Sequence, residues 1–159
     1  MHRLVKIADI TDGVSVQMPD VLPLLSPDAH ALQWRILDLG EVIYEERWDL
    51  NMPLIEQSVF GSPQGMPMEF QDLEAFANRT RQVIDGLFVG CTQSGLSPRR
   101  SDTDTRILER ADMLAAAIDS SFWLVAAPEE VLGRVERHFM RVETVDVEAV
   151  GLSTWERKP

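Results

Sequence analysis

Apolar residues recur at helical spacing in two parts of the chain. Between residues 70 and 85 they recur at helical intervals of three, four and seven positions: Phe70, Leu73, Phe76, Ala77, Val83 and Ile84. This spacing predicts an amphipathic helix over 71–85, which Gly86 ends. A second helix is predicted over 128–138, because Pro128 precedes two acids and basic residues gather at its far end.

Short apolar runs and alternating patterns predict strands. The run Phe122–Ala126 is continuously apolar, as is the shorter run at 87–89, and both are typical of buried strands. Apolar and polar residues alternate over 31–39 and again over 140–147. Weaker patterns of the same kind occur at 4–7 and 14–18.

The segment 103–118 fits two structures. Its residues Ile107, Ala111, Leu114 and Ile118 have helical spacing, yet 112–118 also has the composition of a strand. We favour a helix that begins near Thr103 and leave its end open. Turn-forming residues concentrate at 61–67 and 94–98, which predicts two surface loops.

These elements fit one domain. A chain of 159 residues that is 45% hydrophobic has the size and composition of a single globular unit. The expected fold is an α+β domain spanning 1–159, in which two or three helices pack against a mainly antiparallel sheet.

Negative charge is concentrated in the first half of the chain. The formal net charge is −11, and the segment 9–74 alone contains thirteen acids opposed by Arg35 and Arg47. An acidic chain without a basic stripe is a poor candidate for binding nucleic acid or an anionic membrane. It would attract a basic protein partner and accelerate the association.

The sequence also predicts a cytoplasmic protein. Its first residues contain no signal-peptide core, and no apolar stretch is long enough to cross a bilayer. The single cysteine, Cys91, is compatible with a reducing compartment.

No residue pattern predicts catalysis, a cofactor or a metal. His2, His30 and His138 are far apart in sequence, and the common nucleophile, phosphate and zinc motifs do not occur. The Asp102-Thr103-Asp104 triplet resembles a cation site, but acids at a helix entrance more often cap backbone amides. Cys91 follows an apolar strand, so we predict a packed small hydrophobe in preference to a nucleophile.

One acidic segment also contains large aromatic side chains. It places Tyr44 and Trp48 among carboxylates over 41–49, and such a combination can pair with and stack on arginine and lysine of a partner. The residues predicted to contact a partner are Glu41, Tyr44, Glu45, Glu46, Trp48 and Asp49. The alternative is a solvated face whose aromatic rings point inward.

Two stretches of the chain resemble bacterial polymorphic-toxin immunity proteins. They are 72–90, with Asp72-Leu73-Glu74-Ala75-Phe76-Ala77 and Gln82 to Gly90, and 118–139, with Ile118-Asp119-Ser120-Ser121-Phe122-Trp123 and Arg137-His138-Phe139. The resemblance lies in general texture over the last two-thirds of the chain. It implies a small acidic protein that binds a toxin made beside it.

We therefore expect a non-enzymatic immunity protein that neutralises a cognate, basic toxin by occlusion. One alternative is a small enzyme or ligand-binding module with a pocket near Cys91, for which Asp85 and the loop 94–104 would be candidates. Another alternative is a regulatory or scaffold subunit with an ordinary cellular partner.

Overall fold

A computed structural model describes residues 1–45, 50–92, 96–153 and 157. The strands are β1 (Leu4–Ile7), β2 (Ile10–Thr11), β3 (Val14–Ser15), β4 (Gln33–Leu39), β5 (Val42–Ile43), β6 (Met66–Met68), β7 (Gln82–Val83), β8 (Gly86–Cys91), β9 (Met113–Ile118), β10 (Phe122–Ala126) and β11 (Val142–Thr144). The helices are α1 (Met18–Leu25), α2 (Met52–Phe60), α3 (Phe70–Asn78), α4 (Asp104–Arg110), α5 (Glu129–His138) and α6 (Val147–Val150).

Seven strands form one antiparallel sheet in the order β11-β1-β10-β9-β8-β4-β6. Two short pairs, β2 with β3 and β5 with β7, lie outside this sheet. The α+β class and the mainly antiparallel sheet are thus confirmed. The described residues contain six helices, more than the two or three expected.

Alternate residues of each strand face two separate apolar cores. Trp34, Phe88 and Trp123 belong to the larger core, to which α1, α2, α3 and α5 contribute. Leu37, Val89 and Leu124 belong to the second core, which α4 and α6 cover from the opposite face. Because successive strand residues point to opposite sides, a sheet covered on both faces needs continuously apolar strands.

The helix predicted over 71–85 is shorter than expected. It ends at Asn78, and Gln82 and Val83 instead pair with Ile43 and Val42 in the small β5–β7 ladder. The apolar spacing extends to Val83 because this residue is buried in β7, where its side chain is 2% exposed. Gly86 therefore begins β8 and does not end a helix.

The ambiguous segment 103–118 contains both structures. Thr103 caps α4 by accepting a hydrogen bond from the backbone amide of Arg106 at 3.2 Å, so the predicted start is confirmed. Residues 113–118 are a fully buried strand, β9. The predicted strands at 4–7, 31–39, 87–89 and 122–126 are confirmed to within two residues at each end.

The front of the chain contains two helices that the pattern did not predict. Val14 and Ser15 do form a strand, but Met18 begins α1. Prolines lie at the start of both α1 and α2, where a missing amide costs no hydrogen bond within the helix. The local pattern therefore gave no helix prediction where the chain forms α1 and α2.

Candidate functional site

The predicted partner-binding segment lies beyond the end of β4. Glu41 and Tyr44 are exposed, and Glu45 is half-buried with its Oε1 4.0 Å from Nη2 of Arg81. The short β5–β7 ladder holds this segment against residues 81–85, since Ile84 donates its amide to the carbonyl of Glu41 at 2.9 Å. The other predicted contact residues, Glu46, Trp48 and Asp49, lie outside the described residues.

The acids of segment 9–74 are mostly directed to solvent without a counter-ion. Among the described acids, two pair with an arginine, Asp28 with Arg134 and Glu45 with Arg81, and Oε1 of Glu74 lies 3.8 Å from Nε2 of His30. Six exposed acids form no ion pair within the part of the chain that the structure describes: Asp12, Asp20, Glu41, Glu56, Glu69 and Asp72. Their charge is therefore available to a partner.

Within the described residues, four of the arginines outside this segment pair with acids that also lie outside it. Arg3 contacts Glu129 and Glu136, Arg106 and Arg110 lie near Asp102, and Arg157 contacts Asp104. These pairs leave the surplus negative charge on the first half of the chain. Three of the unpaired acids lie on α1, α2 and α3, which share one face of the sheet.

A cleft of about 640 Å³ lies beside the first residues of β4 and the last residues of β6. Met68 and Phe70 give it an apolar wall. Glu69 and Asp72 add two carboxylates and Arg35 adds one guanidinium group, so the acids are in excess. The ring of His30 packs edge-on against Phe70, with 4.9 Å between the centroids. The cleft can therefore hold a side chain that is apolar along its length and cationic at its tip, such as arginine or lysine.

This cleft and the predicted segment lie at opposite ends of β4. A strand of seven residues spans about 20 Å at roughly 3.3 Å per residue. A protein interface of ordinary size covers about 800 Å² on each partner, which is wide enough to include both ends. The two acidic areas can thus belong to one binding surface.

The sequence did not reveal the cleft. Its walls come from residues 30–35 and 67–72, which are far apart along the chain and meet only because β4 pairs with β6. The apolar and acidic residues at 66–72 were the available signal, but the glycine and proline residues around them favoured a surface loop.

Cys91 and Asp85, the candidates for an alternative catalytic site, do not meet. They lie at or next to opposite ends of β8, a strand of six residues. Asp85 accepts a hydrogen bond from the amide of Asp119 at 2.9 Å, in the turn between β9 and β10. Cys91 is 2% exposed, its Sγ lies 3.6 Å from the carbonyl oxygen of Arg110, and burial raises the pKa of its thiol.

We expect Cys91 to be unreactive in the folded protein. Because the thiolate is the nucleophile and burial disfavours it, an aromatic disulfide reagent at neutral pH should label Cys91 only as fast as the fold opens. The measurement is the labelling rate with and without denaturing urea. Complete labelling within seconds in native buffer would show that the thiol is accessible and would revive the nucleophile alternative.

Asp102 and Asp104 accept backbone amides from neighbouring segments and form ion pairs, while Thr103 caps α4. The Oδ2 of Asp102 accepts a hydrogen bond from the amide of Arg99 at 2.9 Å, and the Oδ2 of Asp104 accepts one from Leu152 at 3.1 Å. Among the described residues, no group of three histidine, cysteine, aspartate or glutamate side chains could hold a metal ion. No helix within the described ranges is long and apolar enough to cross a membrane.

No protein-family model, no curated protein and no solved structure matches this chain. A functional proposal must therefore come from the chain's own residues and their arrangement.

Proposed function

We propose that this protein is an immunity protein that binds a basic bacterial toxin and neutralises it by covering the toxin's working surface. The observation that carries the proposal is the set of six exposed acids in segment 9–74 that form no ion pair within the described residues. Exposed, unpaired charge of one sign accelerates encounter with a partner of opposite sign and excludes partners of like sign.

The binding surface would include both ends of β4. At one end, Glu41 and Glu45 lie beside Tyr44, which is 36% exposed and can stack on an arginine of the toxin. At the other end, the cleft beside Glu69 and Asp72 would take a protruding basic side chain. A pocket that takes one protruding side chain, accompanied by exposed polar residues, is typical of binding hot spots in stable complexes.

The first experiment asks whether a toxin exists. The purified protein is titrated with the C-terminal domain of a large protein encoded beside its gene, by calorimetry at low and at high salt. We expect tight binding that weakens as salt rises, because screening shortens the reach of exposed charges. No heat of binding at micromolar concentrations in either buffer would contradict the immunity proposal.

Neutralising the acids should locate the surface. We expect the double variants Glu41→Gln/Glu45→Gln and Glu69→Gln/Asp72→Asn each to weaken affinity by about tenfold, roughly 1.4 kcal/mol, and to reduce its salt dependence. We choose neutralisation over reversal because a cation in the first turn of α3 would oppose the helix dipole and destabilise the helix.

Glu109→Gln is the matched control for these variants. Glu109 is exposed on α4, on the opposite face of the sheet, so its removal should leave affinity unchanged. If the control weakens binding as much as the double variants do, only net charge matters and the assigned surface is wrong. If neither double variant has an effect, the toxin binds elsewhere on the fold.

A second test separates immunity from an ordinary regulatory role. Deleting the gene should kill cells that also carry the linked toxin gene and should leave cells without that toxin gene unaffected. Equal growth of both deletion strains would favour a regulatory or scaffold subunit.

A further inference from the structure

A second cavity, of about 450 Å³, lies on the α4 face of the sheet and has the opposite charge. It is lined by polar side chains only, within the described part of the chain: Gln64, Ser97, Arg99, Asp102, Arg106 and Arg110. Three guanidinium groups and one carboxylate give these walls a formal charge of +2. Such a concentration of cations is unexpected in a chain whose net charge is −11.

The single carboxylate does not saturate the three arginines. Asp102 lies 3.8 Å from Nε of Arg106 and 3.6 Å from Nη1 of Arg110, distances that exceed those of hydrogen bonds. Its Oδ2 already accepts the backbone amide of Arg99 at 2.9 Å. The guanidinium group of Arg99 forms no ion pair within the described residues. Most of the N–H donors around the cavity are therefore available.

The fold sets the backbone positions of the three arginines. Arg106 and Arg110 are one turn apart on α4, so their side chains lie on the same face of the helix. Arg99 precedes a turn in which the amide of Asp102 donates to the carbonyl of Arg99 at 3.0 Å. The Nε2 of Gln64 donates to the carbonyl oxygen of Ser97 at 3.1 Å and joins the loop before β6 to this wall.

We infer that this cavity binds a phosphate group, either as the free ion or as the monoester of a small molecule. Planar guanidinium groups match phosphate oxygens with paired N–H donors, and a dianion would balance the +2 charge of the walls. The lining includes no aromatic or aliphatic residue that would hold an apolar ligand body. Recognition is therefore centred on the phosphate. This site is independent of the toxin-binding surface proposed above.

Calorimetry of the full chain at constant ionic strength tests the assignment with two probes, inorganic phosphate and a nucleoside 5′-monophosphate. We expect saturable binding of phosphate in the millimolar range or tighter. Equal affinity for the two probes indicates a site for the phosphate group alone, and tighter binding of the nucleotide indicates a site for a monoester. Absence of saturable binding for both probes would overturn the inference.

Three variants make the test specific to this cavity. Arg106→Gln should weaken phosphate binding by about tenfold, and Asp102→Asn should strengthen it, because the asparagine keeps the shape of the carboxylate without competing for the arginines. Arg79→Gln, an exposed arginine at the end of α3, should bind as the wild type does. Thermal unfolding of each variant confirms that the fold is intact.

Two results would place the phosphate elsewhere. One is unchanged affinity in Arg106→Gln, and the other is weaker binding in a folded Asp102→Asn variant. Either would assign any observed binding to a different basic surface and overturn this inference, while the proposal of toxin binding through the acidic surface would be unaffected.

Discussion

Replacing Arg100 with methionine should lower the free energy of unfolding by roughly 3–5 kcal/mol, since each buried hydrogen bond to a charged group contributes about 1.5–3 kcal/mol. Arg100 is 1% exposed. Its Nη1 lies 3.1, 3.0 and 3.2 Å from the carbonyl oxygens of Leu37, Val59 and Ser62, which share its two N–H groups. Methionine keeps an apolar stem but leaves these three acceptors without their donor.

The structural role of Arg100 explains the size of this effect. The carbonyl of Val59 belongs to the last turn of α2, where backbone acceptors have no partner inside the helix. A cation at this position also interacts favourably with the negative end of the helix dipole. Arg100 further stacks near the ring of Phe60, at 5.0 Å from its centroid, so that one side chain joins β4, α2 and the loop that follows.

Arg99→Met is the matched control, because Arg99 is the adjacent residue and its side chain is exposed. We expect a change within about 0.5 kcal/mol, as for most surface substitutions. Urea unfolding monitored by tryptophan fluorescence measures both variants. A loss of less than about 1 kcal/mol in Arg100→Met would show that the three carbonyl contacts together contribute no more than one ordinary hydrogen bond.

Replacing Gly65 with alanine should destabilise the fold by about 3 kcal/mol or more, because strain in the left-handed region adds to a clash between backbones. Gly65 has a φ of +77°, and a Cβ there would overlap the carbonyl oxygen of Ile36 and lie 2.8 Å from the Cα of Leu37. Neither atom can move freely, since β4 is paired on both sides near the bulge between Ile36 and Asp38.

Gly13→Ala separates the two contributions. Gly13 has the same φ of +77°, but a Cβ added there would meet no atom within 4 Å, so only the conformational cost of about 1–2 kcal/mol remains. Thermal or urea unfolding of both variants gives the steric part as a difference. Equal destabilisation of the two variants would mean that β4 yields to the added methyl group.

Sequence patterns predicted the elements in which local signals agree. Phe122–Ala126 and Glu129–His138 were correct to within one residue, because apolar content, proline and charge placement all favour the same structure there. In 71–85 the apolar spacing continued past the end of α3. Such spacing shows which residues are buried, and Val83 is buried in a strand and not in the helix. Prolines concealed α1 and α2, because proline is typical of loops and turns but is also tolerated in the first turn of a helix.

The functional surfaces were harder to predict than the strands. Arg99 and Arg100 are identical neighbours in sequence, yet one lines a cavity and the other is buried beneath three carbonyl groups. Gly65 belongs to a segment predicted to be a surface loop, but it is buried against β4. Such differences arise from contacts between residues that are distant in sequence, which no local pattern contains.

The position of β1 has a consequence for synthesis. Leu4–Ile7 pairs on one side with β10 and on the other with β11, both of which belong to the last third of the sequence. At about 5–20 residues per second, a ribosome exposes the first strand several seconds before either neighbour exists. The nascent chain therefore carries an unpaired, apolar segment that a chaperone can hold until residues 122–144 emerge and the sheet closes around it.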